Sequence, residues 1–141
     1  MLCALQSDAR ISFKDLAERV GLSANAVAER VRKLQERRAI LSYDAEIDPS
    51  IFGLTIHALV EVKMESTTTA EQFEARVATV PGIVRALVTT GHYDWVLEVL
   101  ARDQHDLQRI IEALRVGGIT RDTYSRVIAS DRKFELLRKR R

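Results

Sequence analysis

A single cysteine, Cys3, stands among 141 residues, so neither an intramolecular disulfide nor a cysteine-based zinc cluster can form. No apolar run approaches the roughly 18 residues needed to span a bilayer, and no signal-peptide pattern opens the chain, so a cytosolic setting away from membranes is expected. The three histidines, His57, His92 and His105, are scattered without metal-ligand spacing, and no glycine-rich loop is there to cradle phosphate. Asp94 beside His92 can do acid–base work, but no nucleophile or second carboxylate accompanies them. The reading is therefore of a protein without catalytic residues, cofactor or metal.

Charge is scarce only in sum. The net value is +2, yet residues 1–41 hold eight Lys/Arg against five Asp/Glu, residues 42–131 eight against fourteen, and residues 132–141 six against one. A basic head, an acidic body and a basic tail suggest separate tasks. A basic head suits phosphate neutralisation on a duplex. The tail RKFELLRKRR reads more plainly as a solvated end that adds nonspecific contacts.

The head holds the most informative stretch, SFKDLAERVGLSANAVAERVRKLQERR, residues 12–38. It predicts two short amphipathic helices joined at Val20-Gly21-Leu22-Ser23. Ser12 with Asp15 has capping-box spacing, expected to tie down two backbone donors, and Phe13, Leu16, Ala17 and Val20 share a face. Ser23 is a good N-cap for the second helix, whose Val27, Val31 and Leu34 turn inward at i, i+4 and i+7. The opposite side then carries Asn25, Glu29, Arg32, Lys33 and Glu36, with Ala24 and Ala28 leaving room for close approach. This is the pattern of a helix-turn-helix whose second helix enters the DNA major groove, although paired helices joined through glycine also occur in domains that never touch nucleic acid.

On the nucleic-acid reading, Asn25 can pair bidentately with adenine, Arg30 or Arg32 with guanine or phosphate, and Ala24 and Ala28 can pack on thymine methyls. Glu29 can accept from cytosine, or can more simply form an i,i+4 ion pair with Lys33. Arg10 and Lys14 are candidate phosphate contacts or ordinary surface charge.

Beyond this head, Ile40 to Ile47 reads as an extended connector, and Asp48-Pro49 marks a turn and a domain boundary near residue 49. The expected domains are 1–49, 50–131 and a tail, 132–141. In IHALVEVKM the residues Ile56, Ala58, Val60, Val62 and Met64 alternate onto one strand face. Thr68 with Glu71 suggests a capping box, Phe73, Val77 and Val80 a helix, and Pro81-Gly82 its end. Ile83–Thr90 and Trp95–Ala101 read as strands flanking a turn at Gly91–Asp94. Leu107, Ile110, Ile111 and Leu114 give a second helix, Gly117-Gly118 its break, and Ile119–Ser130 a last strand. The order βαββαβ is the ferredoxin-like plan. The fold class is α+β: a helix-turn-helix (winged-helix-like) domain followed by a ferredoxin-like domain. The strand from Trp95 is apolar on both faces, so the face that the helices leave open is expected to meet a partner sheet in at least a dimer, unless neighbouring strands alone shield it.

A basic helix-turn-helix, a connector and a βαββαβ module together resemble the Lrp/AsnC, or feast/famine, family of transcriptional regulators. The resemblance rests on Asp8-Ala9-Arg10-Ile11-Ser12, Leu16-Ala17-Glu18-Arg19-Val20-Gly21-Leu22-Ser23, Arg30-Val31-Arg32-Lys33-Leu34 and Thr89-Thr90-Gly91-His92-Tyr93-Asp94, in order along nearly the whole chain. It implies a nucleoid-associated regulator of amino-acid metabolism that binds double-stranded DNA through Ser23, Ala24, Asn25, Ala28, Glu29, Arg30, Arg32 and Lys33. It also implies a homo-oligomer, dimeric through connector and sheets and assembled to an octamer. A small effector, an amino acid, would lie between dimers near Thr90, Gly91, His92, Tyr93, Asp94, Asp122 and Tyr124. There Gly91 would admit an effector carboxylate to backbone amides, Asp94 would receive an ammonium group, and His92 would bond either end. A Gly-x-Tyr-Asp turn nevertheless needs no ligand to exist.

The chain departs from the family pattern in three places. Only the end of the family's opening helix, around Leu2 to Gln6, is expected here. Asp122 and Tyr124 stand where threonines are common, and Glu29 where many relatives have arginine. The alternative reading is a stand-alone amino-acid-sensing oligomer with weakened or lost DNA binding.

Overall fold

Hydroxyl caps start both helices of the helix-turn-helix, as the computed structural model, which describes residues 1–132, shows. After a short helix α1 (Leu2–Ser7), the Ser12 oxygen accepts Asp15 N at 3.0 Å and opens α2 (Phe13–Val20). The expected reciprocal box does not form. The Asp15 carboxylate instead accepts the Ser12 hydroxyl proton at 2.7 Å, so the pair satisfies one backbone donor rather than two. Gly21, left-handed at φ 67°, turns the chain, and Ser23 accepts Ala26 N at 3.2 Å to open α3 (Ala24–Glu36).

Leu5, Leu16, Ala17, Val27 and Val31 form the core of this all-helical unit, Met1–Glu46. Leu34 is only half-buried, and Phe13 is 46% exposed. Phe13 lies in the first turn of α2, at the rim of a surface groove beside Ile11, Val31 and Tyr43, and so stays off the common apolar face. Residues 41–48 are exposed and pair with no strand among the described residues, so the connector strand is absent from the isolated protomer.

The second unit, Ile47–Asp131, is built on alternation. A 3-10 turn (Pro49–Phe52) leads to β1 (Ile56–Met64), α4 (Ala70–Val77), β2 (Ile83–Val88), β3 (Trp95–Ala101), α5 (Gln104–Arg115) and β4 (Thr120–Val127). The cap of α4 is Thr69, not Thr68: Thr69 Oγ1 accepts Gln72 N and the Gln72 side chain accepts Thr69 N, a complete box one residue along. The helix ends at Val77, so Val80 reaches the core from the loop beyond it. The outer strands stop at Val88 and Val127, short of the predicted Thr90 and Ser130.

The sheet is antiparallel in the order β2-β3-β1-β4, the ferredoxin-like arrangement. Ala58, Val60 and Val62 of β1 and Trp95, Leu97, Val99 and Ala101 of β3 point to one side, under Phe73, Leu107, Ile110 and Leu114 of the helices. The opposite side presents His57, Leu59, Glu61 and Lys63 of β1 beside Val96, Glu98 and Leu100 of β3, all half-buried. That period of two follows from the pleat. No helix among the described residues is long and apolar enough to cross a membrane. The basic stretch 132–141 lies, except for Arg132, outside the described residues.

Candidate nucleic-acid interface and effector turn

The cap at Ser23 fixes where α3 begins, and burial of Val27 and Val31 fixes its rotation. Ala24, Asn25, Glu29, Arg30, Arg32 and Lys33 are consequently exposed, with Ala28 half-buried at the margin. The structure thus leaves the predicted DNA-facing residues of α3 outside its core, with Arg30 on a flank of its own. It also pairs some of them. Lys33 Nζ lies 3.3 Å from Glu29 Oε1, the expected i,i+4 contact. The stronger partner is Arg32, whose Nε and Nη2 meet the two Glu29 oxygens at 3.2 and 2.9 Å, while its Nη1 meets Glu36. The Arg32 hydrogen bonds, followed by that of Lys33, hold the Glu29 carboxyl below its usual range, and Glu29 raises the Arg32 guanidinium. Spacing alone favoured lysine for Glu29. The planar fork of arginine fits a carboxylate bidentately, which a point-charge ammonium does not.

The turn after β2 is closed by Thr89 N donating to Asp94 O at 2.9 Å and by the Thr89 hydroxyl donating to Tyr93 O at 3.2 Å. Gly91 takes φ +117°, and Thr90, Gly91 and His92 are exposed at the tip. The His92 ring stands edge-on to Tyr93, with centroids 4.8 Å apart. The Tyr93 hydroxyl donates to Asp122 Oδ2 at 3.4 Å, so the turn and β4 meet although 29 residues separate them. Desolvation and the nearby Asp122 carboxylate push the Tyr93 phenol up. Tyr124 faces Glu61 across the β1–β4 ladder, and the Arg126 guanidinium sits over its ring at 5.8 Å. Six of the seven predicted effector residues therefore form one connected surface: Gly91, His92, Tyr93 and Asp94 in the turn, and Asp122 and Tyr124 on β4. Thr90 adjoins them.

Asp94 is the one whose chemistry is already spoken for. Its oxygens accept Lys63 Nζ and Met64 N, each at 2.9 Å, and these bonds hold its carboxyl below the ordinary range. Lys63 was not legible as part of this region, because the partner lies 31 residues away in sequence.

Residues 1–35 match the AsnC-type helix-turn-helix domain, and residues 57–134 match the Lrp/AsnC ligand binding domain. The chain belongs to the Lrp/AsnC family. It is 34% identical, over 98% of its length and 80% of the relative's, to the HTH-type transcriptional regulator AldR of Mycolicibacterium smegmatis. It is 35% identical, over 79% of its length and 72% of the relative's, to the leucine-responsive regulatory protein of Rhizobium meliloti. Among solved structures, a feast or famine regulatory protein from M. tuberculosis complexed with L-methionine superposes with a TM-score of 0.86. That match has 26% identity and covers 97% of this chain and 92% of the other. Family membership makes this Lrp/AsnC protein a DNA-binding transcriptional regulator. It sets α3 inside the helix-turn-helix domain, and the Gly91–Asp94 turn with Asp122 and Tyr124 inside the ligand binding domain.

Proposed function

We propose that this regulator of amino-acid metabolism reads duplex DNA through α3 and senses an amino acid at the Gly91–Asp94 turn, working in the cytoplasm on the nucleoid. The reading assigns base and phosphate contacts to Ser23, Ala24, Asn25, Ala28, Glu29, Arg30, Arg32 and Lys33. Asn25, exposed in the first turn of the helix with no side-chain partner among the described residues, suits adenine. The effector lies between dimers. Thr90, Gly91 and His92 offer backbone and ring donors to its carboxylate, and Tyr93, Asp122 and Tyr124 offer acceptors and an aromatic wall. Asp94 serves by fixing the turn through Lys63, since an ammonium would have to displace that lysine. Dimers joined through the open sheet face and the connectors 41–48 assemble to an octamer.

The observation that carries the effector site is the Tyr93–Asp122 hydrogen bond, which draws an exposed turn and a distant strand into one polar surface. A relative in the same fold was crystallised with L-methionine, which fits an amino-acid ligand. The test is a calorimetric screen of amino acids against the purified chain, repeated on Gly91→Val and Asp122→Ala. Binding of at least one amino acid, lost in both variants, is expected. Wild-type-like binding by both variants would remove the turn from the site.

A further inference from the structure

We propose that Glu29 and Glu36 act oppositely on one recognition side chain: Glu29 positions Arg32 to read guanine, and Glu36 covers the reading edge until DNA displaces it. The inference rests on α3 being the DNA-contacting helix.

A guanidinium offers two bidentate edges. Glu29 occupies the side edge of Arg32, with Nε and Nη2 at 3.2 and 2.9 Å from its two oxygens. That fork-to-fork geometry leaves only the end edge, Nη1 with Nη2, for the O6 and N7 acceptors of guanine. Glu36 takes Nη1 in the free protein. The two carboxylates are not equivalent. Glu29 holds Arg32 twice and is shared with Lys33, 3.3 Å away. Glu36 makes a single contact and is the last residue of α3, where the negative end of the helix dipole disfavours a carboxylate. A duplex therefore strips Glu36 first and leaves the Glu29–Arg32 unit intact.

Charge supports the same assignment. Glu29, Arg32, Lys33 and Glu36 cancel one another, so this cluster draws no phosphate by net attraction. The one cation of α3 without a partner among the described residues, Arg30, lies on a neighbouring flank. Phosphate grip and base reading are thereby separated on the helix surface.

The experiment selects duplexes from a randomised pool with the wild-type chain. It then measures affinities of wild type, Glu36→Gln and Glu29→Gln for the selected duplex and for versions with each G·C pair replaced. Both positions are about half exposed, so folding is retained, and helicity by circular dichroism checks it. Glu36→Gln should tighten binding to the selected duplex by about two- to fivefold, the worth of an exposed ion pair, and tighten it less for the version that lacks the guanine Arg32 reads. Glu29→Gln should cut the preference at one guanine by roughly tenfold while binding to shuffled duplexes holds or strengthens. Uniform tightening by Glu29→Gln, as for any lost negative charge, would overturn the positioning role. Unchanged, weaker or uniformly tighter binding by Glu36→Gln would overturn the covering role. If the wild type selects no duplex, the DNA reading of α3 fails first, and this inference falls with it.

Discussion

The Lys63 ammonium lies 2.9 Å from Oδ1 of Asp94, and Met64 N donates to Oδ2 at the same distance. The turn that forms the candidate effector surface is thus pinned to β1 by an ion pair about a third exposed. The pair favours the charged carboxylate, so the folded pKa falls below the ordinary 3.8, with Lys63 the main cause and Met64 the second. A depressed carboxyl contributes stability above its unfolded value and loses it as pH falls through the folded value. Asp94→Asn should cost about 1–2 kcal/mol at neutral pH, and the gap to wild type should shrink steadily once pH drops below the unfolded carboxyl range. Urea unfolding at several pH values checks this. A gap that stays constant into acid would show that the pairing does not act through charge.

Gly82 is held by geometry rather than by charge. It adopts φ +92°, its carbonyl accepts Leu100 N at 2.8 Å, and a Cβ there would stand 2.7 Å from Leu100 O and 2.8 Å from Ile110 Cδ1. Backbone oxygen cannot swing aside as a side chain can. Gly82→Ala should destabilise the second unit by at least about 2 kcal/mol, combining positive-φ strain with displacement of β3. Thermal unfolding followed at Trp95, buried in that core, reads the loss directly.

Arg38 offers the opposite case. It lies just past the C-cap of α3, in the left-handed region at φ 55°, while Ala39 N and Ile40 N both return to Leu34 O at 2.8 and 3.2 Å. Glycine favours that position because it lacks a Cβ. Arg38→Gly should stabilise the helical unit by about 1 kcal/mol, seen as a higher denaturant midpoint at unchanged slope.

The open sheet face should be where protomers meet. Val96 stands on it between Glu61 and Leu87 in register, half-buried although no helix covers it. Val96→Arg points away from the helices, so the fold survives, but Glu61 beside it already holds Arg126 at 3.1 Å, so two such faces cannot be apposed without burying an unpaired charge. Light scattering should report a monomer for the variant and at least a dimer for wild type. An unchanged mass would place the seam elsewhere.

Period and caps made most of this architecture readable. Alternation through Ile56–Met64 and Trp95–Ala101 predicts strands that the structure reproduces to the residue, because burial on one face of a pleat leaves no other register. The α4 cap was misplaced by one because Thr67, Thr68 and Thr69 are equivalent as hydroxyls; only the reach of Gln72 back to Thr69 N selects among them. Phe13 has helical phase with Leu16 and Val20 yet remains exposed, since phase says nothing of where neighbouring helices end. At the site, the exposed face of α3 and the tip of the turn were legible. Lys63 and the Tyr93–Asp122 contact were not, because sheet pairing creates them between distant segments.

Whether an amino acid controls sequence-specific DNA binding is decided by a salt titration of the full chain on its selected duplex and on a shuffled duplex, each with and without the amino acid found by calorimetry. A preference for the selected duplex should persist at physiological salt, where nonspecific attraction fades, and the amino acid should shift affinity for that duplex alone. Equal affinities that fall together with salt, unmoved by any amino acid, would contradict both expectations.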